Sequence, residues 1–499
     1  MSGIKQLAGQ TLWYGGSSIV AKLINYLLTP LLTGLLTVAD YGEMSMVYSF
    51  IPFMNIIFTY GMETAFFRFA QSDNNKDVYN TSSLSLILTS VVFSIALILF
   101  RHPLASLLRV EDNPEYITIS ALIIGFDALS TIPFAKLRLD GKPRKFAFIK
   151  VLGIVVNFVS VYILLSVLPG ILKKDPNHWI KTFYNKDWAV GYVFVANLLQ
   201  SIITLLFLSR EFMGFKLHVN RELWKKMLLY GMPLILAGFA GMVNETFDRI
   251  MLGWWAPAAT EEAAKAQVGI YAACYKLSIL ITLAVQGFRM GAEPFFFKQS
   301  TSENATRTYA RVMKFFVITL CLMFLSVMLY LDIWKHFIRN PKMWVGLKVV
   351  PILLLANMFV GIYYNLSIWY KLGNKTIAGA YITLIGAVVT LVVNYVFIPR
   401  YSYMACAWAT FLAYGTMMVV SYVWGQKEYR VPYAWKKLCA YIIIAVALYL
   451  IHRGLVHAIS GFWFNYGLAT FLLIAYTCFI LRVERNEFRK LPLIGKFLR

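Results

Sequence analysis

The chain has 499 residues, of which 59% are hydrophobic and 14% are charged, and its formal net charge is +23. A single water-soluble domain of this length does not bury so much apolar surface, because its core stops growing and the chain splits into domains. Nucleic-acid binding is also excluded, since the basic residues occupy short breaks between apolar runs instead of one soluble face. The composition therefore indicates a membrane protein.

Apolar windows separated by charged breaks predict an all-α polytopic protein with about fourteen spans, each near the roughly 20 residues that cross a bilayer. The spans are predicted at 9–34, 42–63, 82–100, 116–136, 147–169, 188–209, 225–255, 267–290, 308–330, 346–370, 376–398, 403–425, 437–456 and 462–481. Only Lys5 precedes the first apolar run, which is too long for a signal peptide, so we expect the first helix to stay in the mature protein.

The basic residues predict which side of the membrane each loop faces. With a cytoplasmic N-terminus, roughly 30 Lys and Arg fall inside and roughly 13 outside, as the positive-inside rule requires. An even number of spans returns the C-terminus to the same side, so we expect both termini in the cytoplasm. The basic tail consists of Arg482, Arg485, Arg489, Lys490, Lys496 and Arg499.

Paired motifs, about 216–237 residues apart, indicate an internal repeat. Six helices per half would bring both halves into the membrane from the same side, as a parallel repeat. We predict an N-lobe at 1–217, a C-lobe at 218–430, and the last two helices with the basic tail at 431–499. The pairs are Tyr14-Gly15 with Tyr230-Gly231, Tyr41-Gly42 with Val268-Gly269, and Val155-Val156-Asn157-Phe158 with Val392-Val393-Asn394-Tyr395.

No arrangement of residues points to catalysis or metal binding. The five cysteines are isolated and lack CxxC spacing, and the six histidines lie in loops or at span ends without a ligand pattern. No GxxxxGK[ST] motif occurs, and no loop is long enough to hold a catalytic domain. We therefore expect a protein that is not an enzyme and has no catalytic site, metal site or bound cofactor, while H⁺ or Na⁺ coupling stays open.

Polar residues at steps of three and four form stripes on the first, second, seventh and eighth spans. Small and hydroxyl residues in such stripes can simply pack helices together. An ionised group at mid-depth costs about 2.5–3.5 kcal/mol and must face water or a partner. One interpretation is a structural network, for example Glu245 with Lys276; the other is a hydrated substrate cavity between the equivalent helix pairs of the two halves. The predicted cavity residues are Lys22, Asn25, Asn55, Asn244, Glu245, Asp248, Arg249 and Lys276.

Charged residues near the cytoplasmic ends of the second and eighth spans are candidates for a gate. They are Glu63, Arg289 and Glu293. Snorkelling of Arg289 toward the interface is the simpler explanation of its position. In the fourth span, Asp127 has no partner that the sequence identifies.

Several of these segments resemble a known family. Leu12-Trp13-Tyr14-Gly15 through Pro30, followed by Asp40-Tyr41-Gly42, resembles the first two helices of the polysaccharide transporter branch of the MOP superfamily, the Wzx-type oligosaccharide flippases. The segment from Tyr230-Gly231-Met232-Pro233 to Asp248-Arg249-Ile250-Met251-Leu252-Gly253 resembles the start of that family's second half. The resemblance covers the whole chain, including its six plus six plus two helices.

The resemblance implies two six-helix bundles in a V shape that work by alternating access in the bacterial inner membrane. The implied substrate is an undecaprenyl-pyrophosphate-linked oligosaccharide for O-antigen (lipopolysaccharide), capsule or exopolysaccharide, with membrane lipids and polysaccharide polymerase or assembly proteins as partners and no nucleic acid. The alternatives are a MATE-like drug/cation antiporter, a peptidoglycan lipid-precursor flippase, and a membrane glycosyltransferase or polymerase. The last needs a large external loop, which the sequence lacks.

Overall fold

The computed structural model describes residues 2–71, 75–213, 215–373, 375–459 and 461–489, with side chains from Trp13 onward. Within these ranges the regular structure is helical, and no β-strand is present. The side chain of the motif residue Leu12 and the tail residues Lys490, Lys496 and Arg499 lie outside the described part.

Fourteen long helices in the described residues, numbered α1–α14, coincide with the fourteen predicted spans. Thirteen of them are long and apolar enough to cross a membrane by length and composition. The exception is α2, whose apolar run is diluted by Glu43, Asn55 and two serines. The protein is therefore an all-α, multi-pass membrane protein. The bounds of α1–α14 are Ser2–Leu35, Val38–Thr59, Asn75–Leu99, Glu115–Leu139, Pro143–Tyr162, Ala189–Leu208, Arg221–Glu245, Glu261–Gln299, Ala305–Met328, Val350–Leu366, Thr376–Tyr401, Tyr403–Glu428, Trp435–Ala458 and Phe462–Val483.

The ends of α2 show how local chemistry sets the helix boundaries. At its start, the Thr37 hydroxyl accepts a hydrogen bond from the Asp40 backbone N–H at 3.1 Å, and the Asp40 carboxylate accepts one from the Thr37 N–H at 3.3 Å. This reciprocal capping satisfies donors that the first turn leaves open. At its end, Gly61 has a φ of 73°, which glycine adopts without strain because it lacks a Cβ. A second helix, Met62–Phe69, starts directly after this turn.

Backbone contacts divide the chain into two compact units. The first unit contains the residues up to Lys276, together with Ile338–Gly346 and Ala380–Ala413. The second unit contains Leu277–Phe337, Leu347–Gly379 and the residues from Tyr414 onward. This grouping follows contacts instead of chain order, and the lobe boundaries after residues 217 and 430 stay predictions.

The first six helices pack as a bundle within the first unit. Helix α1 lies on α5, α3 on α4, and α6 on both α4 and α5. Helix α7 and the short helix Phe247–Trp255 that follows it both lie on α2. Small residues make the close crossings: a Cβ on Gly125 would lie 2.7 Å from the Ser94 hydroxyl, and one on Gly153 would lie 2.6 Å from the Thr204 hydroxyl. Such small residues let membrane helices approach without a hydrophobic driving force between them.

In the second unit, α9 packs on α10, α13 and α14. One carboxylate ties three of these helices together at their ends. Glu484, directly after α14, accepts hydrogen bonds from Lys314 of α9 at 2.6 Å, from Tyr441 of α13 at 2.6 Å and from Lys437 of α13 at 3.3 Å. Burial opposes ionisation of Glu484, but the hydrogen bonds from Lys314 and Tyr441 and the two lysine charges outweigh it, so its pKa lies below the ordinary value of 4.5.

Because the ionised Glu484 carboxylate accepts these hydrogen bonds, we predict that the packing of α9, α13 and α14 weakens at acidic pH. A lowered folded-state pKa contributes stability that is fully present above pH 4.5 and is lost as the pH falls through the folded value. We expect Glu484→Gln to lower the melting temperature of the purified protein at pH 7, and we expect the difference from wild type to shrink below pH 4. Thermal unfolding of both proteins between pH 3.5 and 8 measures this. An equal difference across that range would show that Glu484 acts through shape alone.

Candidate functional site

The predicted seventh span is broken at the point where its charged residues lie. Helix α7 ends at Glu245, Thr246 leaves the helical region with φ −134° and ψ −19°, and a new helix runs over Phe247–Trp255. A break inside a membrane span frees backbone carbonyls, which is tolerated where side chains or water satisfy them. Here the Arg249 guanidinium donates to the freed Glu245 carbonyl at 2.8 Å. The break thus concentrates polar groups inside the predicted seventh span.

Asp248 and Arg249 form a buried polar centre directly after this break. Arg249 Nη1 lies 3.2 Å from Asp248 Oδ1, and the Asp248 side chain is only 3% exposed. The Tyr271 hydroxyl of α8 donates to Asp248 Oδ2 at 2.5 Å, and the Arg249 Cζ lies 4.4 Å from the Tyr275 ring centroid. Because Asp248 is satisfied on both oxygens, its role in this geometry is to orient Arg249 against the tyrosines of α8.

Two further charges face outward from α1 and α7. Lys22 and Glu245 are both exposed, and the Glu245 carboxylate lies within electrostatic range of the Lys22 ammonium. Asn25, one turn after Lys22, is exposed on the same face of α1. Asn55 of α2 is half-buried. These predicted cavity residues are therefore accessible from outside the helix packing.

Lys276 of α8 is half-buried, and its ammonium lies within electrostatic range of the Arg249 guanidinium. Among the described residues, no ion pair within 4.0 Å joins Lys276 to Glu245, which was the structural network considered from the sequence. The position of Lys276 instead adds a second positive charge beside Arg249.

A fourth cation, Lys150 of α5, belongs to this region and was missed from the sequence. Its ammonium donates a hydrogen bond to the Ser18 hydroxyl of α1 at 3.1 Å, and its positive charge interacts with the positive charge of Lys22. We use the term cation cluster for Lys22, Lys150, Arg249 and Lys276, all of which lie in the first unit. Lys150 lies less than two helical turns after the basic loop that ends at Lys145. Its position in the sequence therefore does not distinguish it from a lysine at the membrane interface.

The electrostatic balance of this region is positive. The cation cluster carries four positive charges, against the two carboxylates of Glu245 and Asp248. Asp248 is held by Arg249 and Tyr271, so it does not neutralise Lys22 or Lys150 at short range. In a low-dielectric setting an excess of cations favours an anionic ligand with several acceptor oxygens, such as a phosphate. Among the described residues, no group of three His, Cys, Asp or Glu side chains could hold a metal ion.

Asn244 has a different environment from the other predicted cavity residues. It is buried, its amide nitrogen donates to the Thr383 carbonyl at 3.1 Å, and its amide oxygen accepts from the Thr390 hydroxyl at 2.9 Å. These bonds join α7 to α11 within the first unit. Contact of Asn244 with a substrate stays a prediction, and the geometry by itself accounts for the residue as a link between helices.

A family model described as "Polysaccharide biosynthesis protein" matches residues 7–300, which is more than half of the chain. The chain belongs to this family. A search of curated proteins found no match.

Three solved structures have folds similar to that of this chain. The chain is 13% identical to the lipid II flippase MurJ in its inward closed conformation, with a TM-score of 0.72 and coverage of 94% of this chain and 98% of that one. It is 15% identical to a MATE in complex with MaD3S (TM-score 0.56; 88% and 96% covered). It is 16% identical to the outward-facing conformation of a multidrug resistance MATE family transporter of the MOP superfamily (TM-score 0.52; 88% and 96% covered). At these identities the likeness shows a shared fold.

The three residues predicted as a gate fall into two separate ion-pair groups. Glu63 pairs with Arg138 of α4, whose guanidinium lies 4.7 Å from the Phe67 ring centroid. In the second unit, Glu293 accepts from Arg289 Nε at 2.7 Å and from Lys371 Nζ at 2.6 Å. The structure therefore brings Arg289 and Glu293 together and gives Glu63 a partner that the sequence did not suggest. A gating role for these residues stays a prediction.

The isolated carboxylate of the fourth span also gains a partner. Asp127 Oδ1 accepts a hydrogen bond from the Ser201 hydroxyl of α6 at 2.8 Å. One turn before Ser201, the Asn197 amide donates to the Tyr48 hydroxyl of α2 at 3.3 Å. Asp127 is thus part of the packing between α4 and α6, and sequence spacing alone could not have paired residues 74 positions apart.

Glycines bring α2 against α8 at the ends where both helices begin. A Cβ on Gly42 would lie 2.8 Å from the Gly269 nitrogen and would overlap the Lys265 carbonyl, and a Cβ on Gly269 would lie 3.0 Å from the Gly42 nitrogen. The adjacent Glu43 and Lys265 side chains form an ion pair at 3.3 Å. These glycines are the equivalent positions of the predicted repeat, so the two backbones touch at matching points.

A second glycine pair lies near the other end of α2. A Cβ on Gly61 would lie 2.9 Å from the Gly231 carbonyl of α7, and one on Gly231 would lie 2.6 Å from the Tyr60 carbonyl. Both ends of α2 therefore contact helices of the predicted C-lobe through backbone.

Proposed function

We propose that this protein is a flippase that moves an undecaprenyl-pyrophosphate-linked oligosaccharide across the bacterial inner membrane by alternating access. Membership of the polysaccharide biosynthesis family and a fold shared with flippases and transporters support a MOP-type membrane transporter. The observation that carries the finer proposal is the excess of cations in the cation cluster, whose members come from four different helical segments.

The chemistry of a lipid-linked sugar fits this arrangement. A pyrophosphate that leaves water needs Lys or Arg donors to offset its desolvation, and such charge-assisted hydrogen bonds are the strong ones. Lys22 and Asn25 are exposed and available for contact, while Arg249 is fixed in direction by Asp248. In this proposal Lys22, Lys150 and Lys276 hold the pyrophosphate, and the asparagines and tyrosines nearby bind sugar hydroxyls.

In this proposal, α2 separates from α7 and α8 at its glycine contacts during transport. Under the predicted orientation, Gly42 and Gly269 lie at the periplasmic ends of α2 and α8, and Gly61 and Gly231 lie toward the cytoplasm. Backbone contacts without side chains can open and close with little repacking, because no interlocked side chain has to be withdrawn. Alternating access would then consist of opening one contact while the other stays closed.

The positive balance favours a phosphate-bearing substrate over the cationic drug of a MATE-like antiporter, since a cationic drug would be repelled by the cation cluster. A peptidoglycan lipid precursor carries the same pyrophosphate, so charge does not distinguish it from a lipid-linked oligosaccharide. An analysis of the accumulated lipids is needed to distinguish these two substrates. We also propose H⁺ or Na⁺ as the coupling ion, and polysaccharide polymerase or assembly proteins for O-antigen, capsule or exopolysaccharide as partners.

Deletion of the gene followed by analysis of membrane lipids tests the proposal. We expect sugar-loaded undecaprenyl pyrophosphate to accumulate on the cytoplasmic leaflet, where externally added glycan-modifying enzymes cannot reach it in intact spheroplasts. Normal surface polysaccharide together with altered drug tolerance would instead favour the antiporter. Accumulation of lipid II alone would transfer the assignment to the peptidoglycan precursor.

A further inference from the structure

A groove of the first unit lies between α3 and the start of α7, and none of its lining residues belongs to the cation cluster. We call it the α3–α7 groove. Its volume is about 490 Å³, and it is lined by Ser85, Leu88, Thr89, Val219, Arg221, Trp224 and Lys225. Most of this lining is apolar, and the charged groups come only from the first turns of α7.

The base of the groove is held in place by hydrogen bonds. The Trp224 indole N–H donates to the Ser85 hydroxyl at 2.7 Å, and that hydroxyl also bonds the Tyr60 hydroxyl at 2.6 Å. The Asn220 backbone N–H donates to Thr81 at 3.2 Å, and the Asn220 side chain caps α7 by accepting from the Leu223 N–H at 3.1 Å. The start of α7 is therefore fixed against α3, and the groove is preformed.

Two cations lie at the mouth of the groove. Arg221 and Lys225 are exposed and are four residues apart, so they share one face of α7. The positive end of the helix dipole adds to their field in the same turn. Glu222, the acidic residue of that turn, does not line the groove. Trp224, between the two cations, is the residue type that settles at membrane–water interfaces.

An apolar stripe leads away from the groove along α3. Leu88 is 57% exposed, Val92 is 61% exposed and Ile95 is 52% exposed, and their spacing of four and three places them on one helical face. The stripe covers about 10 Å at 1.5 Å per residue. A cationic mouth at the interface, joined to an apolar track, complements a molecule with a phosphate at one end and a hydrocarbon chain at the other.

We propose that the α3–α7 groove is a binding site for an acidic phospholipid of the surrounding bilayer. The phosphate contacts Arg221 and Lys225, the glycerol region packs against Trp224, and one acyl chain follows Leu88, Val92 and Ile95. The residues that line this site do not belong to the cation cluster, and the site does not depend on which sugar is moved.

Native mass spectrometry of the full-length protein, titrated with phosphatidylglycerol or phosphatidylcholine, tests this site. Near a membrane surface each Lys or Arg contributes about 1 kcal/mol toward an anionic lipid, so Arg221→Gln with Lys225→Gln should weaken phosphatidylglycerol binding about 30-fold. Lys226→Gln is the control for charge alone, because it removes one positive charge from the position next to Lys225 without touching the groove. We expect this control to bind as wild type does.

A second variant separates the site from general charge attraction. Leu88→Trp leaves both cations in place and fills the groove, and we expect it to weaken phosphatidylglycerol binding at least 10-fold. Equal losses from Lys226→Gln and the double variant would overturn the proposal, as would unchanged binding by Leu88→Trp or equal binding of phosphatidylcholine. Displacement of bound phosphatidylglycerol by equimolar undecaprenyl phosphate would overturn the phospholipid assignment in favour of the carrier lipid.

Discussion

Replacement of Lys22 and Lys276 by alanine together should abolish transport while leaving the protein inserted and folded. A charged hydrogen bond to a phosphate contributes about 1.5–3 kcal/mol, so the double variant should lose at least 100-fold in transport rate. Lys22 is exposed and Lys276 has no ion pair within 4.0 Å among the described residues, so neither removal strands a buried carboxylate. Complementation of a deletion strain, scored by surface polysaccharide, measures the loss.

Matched variants decide whether the effect belongs to the cation cluster. Lys150→Ala should also reduce transport, because Lys150 donates a hydrogen bond to Ser18 and its charge interacts with the charge of Lys22. Lys226→Ala removes an exposed charge from α7 and should leave transport unchanged. Wild-type complementation by a correctly inserted Lys22 and Lys276 double variant would contradict the assignment of these residues to a substrate cavity.

The second large effect is expected from the glycine contact between α2 and α8. Gly42→Ala or Gly269→Ala places a methyl group inside the facing backbone, so the two helices must separate. Forcing extra volume into such a contact costs typically about 1–3 kcal/mol, and backbone leaves fewer ways to relax than side chains. We expect the contact to stay open and transport to fall more than 10-fold, although the protein still inserts.

Cysteine accessibility distinguishes an opened contact from an unfolded protein. In a background that lacks the exposed Cys439 and Cys478, a cysteine at Asn25 should react faster with a membrane-impermeant reagent added outside when Gly269 is alanine. Gly241→Ala is the control, because the Cβ it would add meets no atom within 4 Å beyond the backbone of its own helix and its two chain neighbours. Slower or unchanged labelling in the Gly269 variant would show that this contact does not close the outer side.

The number and position of the membrane helices could be predicted from the sequence because hydropathy is a one-dimensional property. All fourteen predicted spans coincide with long helices of the described chain. The break at Thr246 could not be predicted, since Gly and Pro do not occur there and the apolar pattern continues through Phe247–Trp255. It depends on the Arg249 side chain, Asp248 and Tyr271 meeting in three dimensions.

Some residues of the candidate site could be identified from the sequence, because a charged residue inside an apolar run is also a one-dimensional signal. Charges far inside apolar runs, such as Lys22, Asp248 and Lys276, stand out by depth alone. Lys150 did not stand out because it lies close to a basic loop. Its place beside the other cations depends on its hydrogen bond to Ser18 of another helix, which the sequence does not show. Gly42 and Gly269 are equivalent positions of the predicted repeat and their backbones lie in direct contact, which periodicity along one helix could not indicate.

During transport, the proposed anionic lipid-linked sugar lies beside the cation cluster. A photo-crosslinking amino acid at Asn25, one turn from Lys22 and exposed, should capture the undecaprenyl-pyrophosphate-linked oligosaccharide in growing cells. The same amino acid at Val92, which is 61% exposed on α3, should not. Capture at Asn25 that disappears when Lys22 and Lys276 are alanine is the predicted result. Capture of the sugar-lipid at Val92 but not at Asn25 would contradict the account.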